Sequence, residues 1–262
     1  AAKYGFAALM SGLDYRASAD WGALLGYSKE GLREMQLRAI AFLRDLAKPY
    51  AGQIPQILVS GVVGPRGDAY SLDKTITAEE AEDYHSEQLE TLRSADVDLV
   101  WAATFNNIPE AVGVSRAAAR IGIPLTVSFT LDSTHHLRSG PSLKEAVETT
   151  DRLTGDDRPD FYGINCSHPI EMEPALEPSD WFARIRSIRP NAALMDKIAL
   201  CKLGHLEDGD PSELGGQLGD YARRFPHIDI CGGCCGTWDT HLDEMAQAIA
   251  TVRREQAGEP VG

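Results

Sequence analysis

The heptapeptide Cys231-Gly232-Gly233-Cys234-Cys235-Gly236-Thr237 places two adjacent cysteines between glycines. Glycine lets the backbone bend tightly, and thiolates are preferred ligands of zinc. A third cysteine, Cys166, ends the segment Gly163-Ile164-Asn165-Cys166, where an apolar run gives way to polar residues. About two βα units separate the two segments, so the three sulfurs can meet at one end of a parallel barrel.

These two segments resemble the motifs of the homocysteine S-methyltransferases, a GxNC segment followed much later by GGCCGT. The chain has GINC at 163–166 and GGCCGT at 232–237. The resemblance implies that Cys166, Cys234 and Cys235 bind zinc and that the thiol of the substrate takes the remaining position on the metal. Weaker similarities to the family lie at 15–18, 60–68, 127–130 and 190–192.

The alternative interpretation of these cysteines is that they are small buried core residues. A disulfide between the adjacent Cys234 and Cys235 would be strained, so metal ligation is favoured over it. The chain has five cysteines, an odd number without the even, close spacing of a secreted disulfide scaffold. We therefore expect reduced thiols. Cys201 and Cys231 are predicted to be structural.

Length and composition indicate a single globular domain over residues 1–262. The net charge of −14 argues against binding to nucleic acid or to an anionic membrane. No apolar run reaches the roughly 20 residues needed to span a bilayer. The N-terminus lacks a signal-peptide pattern, so the sequence predicts a cytoplasmic protein.

Apolar runs alternate with helical patterns along the chain, which is typical of a parallel sheet covered by helices. Capping-box patterns at 77–80 and 142–145 predict helix starts, and Pro109 is expected in the first turn of another helix. Trp181 to Ile188 is predicted to be a short helix. The predicted strands cover 5–10, 57–63, 97–104, 124–131, 161–166, 192–195 and 228–231.

The predicted fold is α/β, a (β/α)8 TIM barrel that lacks its first strand and helix in this sequence. The first strand of the family carries a glycine-rich DGG segment, and nothing similar precedes Ala1. We expect the natural polypeptide to extend upstream by about 30 residues or more, because seven strands leave two edges unpaired. A doubly wound open sheet is the alternative, but cysteines at two strand ends favour the barrel, whose chemistry lies at its C-terminal face.

Substrate-binding residues are predicted at two further strand ends, Tyr15 and Thr104. By resemblance, Tyr15 lines the mouth of the site. The family strand matching 97–104 usually ends in a glutamate that binds the amino group of the acceptor, whereas this chain has Ala102-Ala103-Thr104 and no acid. Acceptor recognition is therefore expected to differ from that of the family.

Other polar residues receive structural interpretations. Asn165 and Asn191 are expected to position backbone groups near Cys166. His168 and His205 are predicted to be hydrogen-bonding residues rather than metal ligands. The segment 61–68 lacks a Walker lysine and GxGxxG spacing, so it is predicted to be a strand-to-helix turn rather than a phosphate site.

The resemblance predicts a zinc-dependent S-methyltransferase that moves a methyl group to a zinc-bound thiol, by default homocysteine to give methionine. No catalytic protein residue is expected beyond the zinc centre, because a fixed thiolate is already a nucleophile. The methyl donors favoured are S-methylmethionine and S-adenosylmethionine. Assembly into a homo-oligomer is compatible with the sequence. The alternatives are a methyltransferase for a different thiol and a non-catalytic zinc-binding or thiol-binding subunit.

Overall fold

The computed structural model describes residues 1–72 and 76–258. Within these residues there are seven strands in one sheet, and their order in the sheet follows the chain from β1 to β7. A doubly wound sheet reverses its strand order at a switch point, so the consecutive order excludes that alternative. The strands are β1 (Ala8–Ser11), β2 (Ile57–Val63), β3 (Leu99–Phe105), β4 (Leu125–Phe129), β5 (Phe161–Asn165), β6 (Ile185–Arg189) and β7 (Ile230–Cys231).

Helices alternate with the strands, as predicted for an α/β protein. Short 3-10 helices occur at 2–4, 48–50, 155–157, 173–175 and 180–184. The α-helices are α1 (Ala19–Leu24), α2 (Lys29–Ala47), α3 (Ala78–Ser94), α4 (Ile108–Ile121), α5 (Leu143–Thr154), α6 (Pro169–Met172), α7 (Lys197–Lys202), α8 (Pro211–Arg224) and α9 (Asp239–Ala257). Among the residues described, no helix is both long and apolar enough to cross a bilayer.

The predicted helix signals are confirmed at both capping boxes. Before α3, the Thr77 side chain accepts a hydrogen bond from Glu80 N, and the Glu80 carboxylate accepts one from Thr77 N. Ser142 and Glu145 form the same reciprocal pair before α5. Each pair satisfies backbone donors that a helix start would otherwise leave unpaired. Pro109 lies in the first turn of α4, as predicted.

The prediction of the sixth strand was wrong. The strand is Ile185–Arg189, inside the stretch predicted to be a helix, and residues 192–195 form a loop instead. Trp181, Ile185 and Ile188 recur at helical spacing, but the residues up to 184 form a 3-10 helix and the chain then extends. Ala192 N donates to Cys235 O (3.0 Å), which places this loop against the cysteine turn.

The chain divides into two compact units, Ala1–Ser128 with Glu148–Phe161, and Phe129–Val147 with Tyr162–Gly262. In the first unit, β1, β2 and β3 are parallel neighbours, and all residues of β3 are buried. Helices α3 and α4 pack across Gly113, where a Cβ would lie 2.4 Å from Ala81 Cβ. Glycine is therefore the residue that this close helix contact admits.

In the second unit, β5, β6 and β7 are parallel neighbours. Asn165 lies opposite Arg189, and Ile188 lies opposite Cys231. Helices α8 and α9 pack closely at Gly215, where a Cβ would lie 2.9 Å from the α9 backbone. The α/β class, the parallel pairing and the seven strands of the described residues agree with the sequence analysis. Closure into a barrel, a preceding βα unit and a single domain stay predictions.

Candidate metal centre

Cys166 directly follows β5 in a left-handed backbone conformation, with φ of 53°. This conformation is uncommon for a residue other than glycine, and here three hydrogen bonds hold it. Cys166 N donates to Arg189 O (3.1 Å), while Cys166 O accepts from Thr130 Oγ1 and Asn191 Nδ2, both at 3.3 Å. The predicted positioning role of Asn191 is thus confirmed, and Thr130 shares it.

The turn that carries Cys234 and Cys235 is fixed to the loop after β6. Cys234 N donates to Pro190 O (2.8 Å), and Cys235 O accepts from Ala192 N. Cys234 O accepts from both the backbone N and the hydroxyl of Thr237. These bonds hold the backbone on either side of each sulfur, so the two cysteines project from a defined turn.

Two glycines make this turn sterically feasible. A Cβ on Gly233 would lie 2.1 Å from Thr237 Oγ1, the hydroxyl that donates to the turn. Gly236 has a φ of 79°, and a Cβ there would lie 2.0 Å from Glu207 O. Any side chain at either position would displace backbone or its hydrogen-bonding partner. The glycines of the motif therefore shape the loop that presents the sulfurs.

The three predicted ligands converge in the second unit. Their Sγ atoms all lie within 4.8 Å of one another, and Cys166 Sγ is 3.7 Å from Cys235 Sγ. Thiolates bound 2.3 Å from a tetrahedral zinc ion lie about 3.8 Å apart. Cys166 is buried, Cys234 is half-buried and Cys235 is exposed. The three thiols and the distance between Cys166 Sγ and Cys235 Sγ therefore fit a zinc site, and Cys235 borders solvent.

Cys166 and Cys234 form a disulfide in the structure, with Cα atoms 5.5 Å apart. Reduced thiols were expected from the sequence, and the disulfide weighed against metal ligation was one between Cys234 and Cys235. The same convergence that assembles three sulfurs brings two of them within bonding distance. Because zinc binds thiolates, the disulfide must be reduced before the three cysteines can bind a metal.

Two polar side chains of the sheet lie beside this centre. Asn165 Nδ2 is 3.8 Å from Cys234 Sγ, so its amide contacts a sulfur of the centre, and its role in holding backbone groups stays a prediction. Arg189, opposite Asn165 in the sheet, is 9% exposed. Burial lowers the pKa of its guanidinium to about 10, so Arg189 remains a cation at neutral pH.

The histidines near the centre bind protein groups, as predicted. His168 caps α6, with Nδ1 accepting from Ile170 N (3.3 Å) and its own N donating to Glu171 Oε2. Burial lowers the pKa of His168, which favours the neutral acceptor. His205 is exposed and pairs with Glu207. Neither histidine belongs to the group of potential metal ligands found among the described residues.

The predicted substrate-binding residues Tyr15 and Thr104 lie in the first unit, separate from the unit that carries the cysteines. Tyr15 is half-buried and packs against Val62, Trp101 and Ala103. Thr104 follows Ala103, is 3% exposed and has a φ of 64°. Of the two, Tyr15 offers more surface to a ligand, and their contact with substrate stays a prediction.

Sequence reasoning missed Arg189 and the buried pair formed by Lys197 and Glu171. Lys197 Nζ lies 3.1 Å from Glu171 Oε2 and also donates to Leu131 O. Arg189 was missed because the segment before it was predicted to be a helix. Ile185 and Ile188 are separated by two polar residues and lack the period-2 alternation of a strand, so the local sequence contained no signal that would place Arg189 at a strand end.

Comparison with known proteins gives a consistent picture. The family model described as Homocysteine S-methyltransferase matches residues 7–249. The chain is 27% identical over 233 residues to a methionine synthase of Mycobacterium tuberculosis, covering 86% of this chain and 19% of that protein. It is 26% identical over 271 residues to Homocysteine S-methyltransferase 4 of Zea mays, covering 92% of this chain and 77% of that protein.

The fold is also that of a solved structure. The metallated form of the homocysteine methyltransferase MmuM from Escherichia coli superposes with a TM-score of 0.70 at 21% identity, covering 94% of this chain and 79% of that one. The chain spans about a fifth of the length of the methionine synthases it matches. With the family model covering most of its length, this chain belongs to the homocysteine S-methyltransferase family.

Proposed function

We propose that this protein is a zinc-dependent S-methyltransferase that transfers a methyl group to a thiol acceptor. The observation that carries the proposal is the convergence of three cysteine sulfurs within 4.8 Å in a member of this family. Cys166, Cys234 and Cys235 would hold the zinc. Thiolate ligands at tetrahedral spacing are typical of zinc in proteins.

Bound zinc supplies a positive charge that lowers the pKa of an acceptor thiol and fixes its sulfur as a nucleophile. The protein contributes the positions of the ligands. Thr130 and Asn191 hold the carbonyl of Cys166, and Pro190 holds the amide of Cys234. The exposed side of Cys235 leaves room for the acceptor. Because the acceptor sulfur would already be a thiolate held in position, no separate protein base is needed to remove its proton.

Homocysteine is the default acceptor, with methionine as the product. The homocysteine methyltransferases among its relatives support this proposal. One departure weakens recognition of the amino group, because residues 102–104 contain no acid. We therefore expect another thiol to compete well with homocysteine, and we keep Tyr15 and Thr104 as the proposed acceptor contacts of the first unit.

The methyl donors that fit this proposal are S-methylmethionine and S-adenosylmethionine. The reaction joins two small molecules, and the acidic net charge of −14 disfavours nucleic acid and anionic membranes as partners. We propose a cytoplasmic location, where reducing conditions keep thiols available for zinc. A homo-oligomer is compatible with this function.

The test is methyl transfer by zinc-loaded, reduced protein with each donor and a panel of thiols. The proposal predicts a methylated thiol product that depends on zinc and disappears when Cys235 is replaced by Ala. Binding of zinc and thiol without transfer from either donor would contradict it. That outcome would favour the alternative of a non-catalytic thiol-binding subunit.

A further inference from the structure

Arg189 is a buried cation that the proposed methyl transfer does not use. It ends β6, next to the two loops that carry the cysteines, and its side chain is nine-tenths buried. We propose that the Arg189 guanidinium binds the carboxylate of the acceptor, so that thiol carboxylates are the substrate class. This inference rests on the proposed function and specifies its acceptor.

The register of the sheet places Arg189 on the face that carries the cysteine centre. Asn165 is its direct neighbour in β5, and neighbours in register direct their side chains to the same face. The Asn165 amide reaches Cys234 Sγ at 3.8 Å. Arg189 therefore extends over the same face as an amide that contacts the centre.

Gly232 gives the arginine its path along the cysteine turn. A Cβ built on Gly232 would lie 3.7 Å from Arg189 Cγ and 3.9 Å from its Nε. The arginine side chain thus passes close to a residue only two positions before Cys234. A Cβ at 232 would meet the arginine at ordinary van der Waals distance, which places Arg189 beside the cysteine turn.

The chemistry of the centre calls for a cation if the acceptor is an anion. Three thiolates and one Zn²⁺ carry a net charge of −1, from 2 minus 3, so a carboxylate near them is repelled. Lys197, another buried cation of the described part of this unit, is already paired with Glu171 at 3.1 Å. Arg189, opposite Asn165 and beside Gly232, is a cation that can offset that repulsion.

The guanidinium geometry favours a carboxylate ligand. Its five N–H donors form a planar fork that matches two carboxylate oxygens. The sequence offers no acid at 102–104 for an amino group. Anchoring by the carboxylate therefore accounts for acceptor recognition that does not depend on an ammonium.

The experiment measures binding of two matched thiols to reduced, zinc-loaded protein by calorimetry, without a methyl donor. The probes are 4-mercaptobutyrate and its neutral analogue 4-mercapto-1-butanol. Wild type should bind the carboxylate more tightly. Arg189→Met should weaken binding of 4-mercaptobutyrate by about 10- to 100-fold, the usual effect of losing a hydrogen bond to a charged group, and change binding of the alcohol by less than about threefold.

Arg186→Met is the matched control, because Arg186 lies on the same strand but is exposed and pairs with Asp229. It should leave both dissociation constants unchanged. Arg189→Lys keeps the charge without the fork, and should weaken binding of the carboxylate probe less than the Met variant does. Equal affinity of wild type for both probes would overturn the inference without any variant, as would equal losses for both probes in Arg189→Met.

The outcomes separate this inference from the proposed function. Selective binding of the carboxylate without methyl transfer would leave the role of Arg189 standing and remove the proposed activity. Methyl transfer to both probes with equal kcat/KM would support the proposed activity and overturn the role of Arg189. Loss of zinc from Arg189→Met, with the Lys variant showing no selectivity, would make the arginine a positioning residue of the centre and overturn the inference.

Discussion

Two strands of this protein bend through a left-handed residue that is not glycine, β3 at Thr104 and the end of β5 at Cys166. Such residues are held by their surroundings and concentrate at functional sites. The two bends have different surroundings. The polar side chains that follow Thr104 bind one another, whereas the backbone of Cys166 is held while its sulfur meets two others.

The cluster after β3 is closed within the first unit. Glu110, 1% exposed, accepts hydrogen bonds from Arg66 N (2.6 Å) and Asn107 Nδ2 (3.1 Å) and lies 3.1 Å from His85 Nε2. Asn106 Nδ2 donates to backbone carbonyls of the loop after β2. Buried polar groups that are all paired stabilise one conformation, so this cluster serves the fold.

The cysteine centre of the second unit is organised in the opposite way. Hydrogen bonds bind the carbonyls and amides around the sulfurs, and Asn165 approaches Cys234 Sγ only at 3.8 Å. The sulfurs contact one another, through the Cys166–Cys234 disulfide and the 3.7 Å approach of Cys166 Sγ to Cys235 Sγ. A polar cluster at a strand end can thus serve chemistry when the backbone around its reactive atoms is held in place and one of those atoms, here Cys235 Sγ, belongs to an exposed residue.

The largest expected effect is on zinc affinity and comes from removing a sulfur of the cysteine centre. Cys235→Ala should bind zinc at least about 100-fold more weakly than wild type, because even residues that only orient metal ligands contribute about 10- to 100-fold. Zinc per protein after dialysis, measured by atomic emission, checks this. Cys201→Ala changes an exposed cysteine and should retain full zinc. A full equivalent of zinc in Cys235→Ala would contradict the assignment of the cysteine centre as a metal site, as distinct from the cluster after β3.

The closed cluster should show the opposite response to substitution. Glu110→Ala leaves buried donors of Arg66, Asn107 and His85 without their acceptor, and should lower the free energy of unfolding by about 3 kcal/mol while zinc binding stays unchanged. Urea unfolding and zinc analysis measure both. The control Glu79→Ala removes an 80% exposed carboxylate paired with Arg116 and should change stability by less than about 0.5 kcal/mol.

Asp14, at another strand end of the first unit, lies between these extremes. It is 2% exposed; Oδ1 accepts from Val62 N (3.0 Å), while buried Oδ2 has no hydrogen-bond partner. Burial raises its pKa from 3.8 to about 6. A raised folded-state pKa favours the protonated form, so stability is fully present below pH 3.8 and is lost as pH rises through about 6.

Asp14→Asn should therefore gain stability relative to wild type between pH 4 and pH 8, by up to about 3 kcal/mol, or 1.36 kcal/mol for each unit of the pKa difference. Urea unfolding of both proteins across this pH range measures the difference. A difference that stays constant with pH would show that the Asp14 carboxylate is satisfied when ionised. It would then belong with the closed cluster.

The smallest expected effect is the loss of zinc affinity on removing a hydroxyl that holds the backbone of the cysteine centre. Thr130→Val removes the hydroxyl that donates to Cys166 O and should weaken zinc binding by about 10-fold. Thr126→Val is the matched control, since both threonines are 3% exposed and the buried Thr126 hydroxyl has no hydrogen-bond partner. Zinc affinity by competition with a chelator compares them. Equal affinities would remove Thr130 from the supporting residues.

Much of the fold follows from local patterns that the sequence states directly. The mostly apolar run of β3 and the capping box at Thr77 each determine a structure through nearby residues. The sixth strand was mispredicted because Ile185 and Ile188 satisfy helical spacing although they belong to a strand. The parallel pairing of this segment with β5 makes it a strand and not a helix. Such pairing joins segments that are distant in sequence, so a short stretch of residues does not reveal it.

The candidate site divides in the same manner. The cysteines were predicted because the glycines and thiols that make the turn are adjacent in sequence. Arg189 was missed because its relation to them arises from strand register, opposite Asn165 and across Gly232. The disulfide between Cys166 and Cys234 was also unforeseen, since it depends on how closely two loops converge in space.

The most direct test of the three-cysteine zinc centre is X-ray absorption at the zinc edge on reduced, zinc-loaded protein. The account predicts three sulfur neighbours at about 2.3 Å and one lighter atom. Addition of 4-mercaptobutyrate should replace that lighter atom with a fourth sulfur. A coordination shell made only of nitrogen and oxygen, or one with fewer than three sulfurs before the thiol is added, would contradict it.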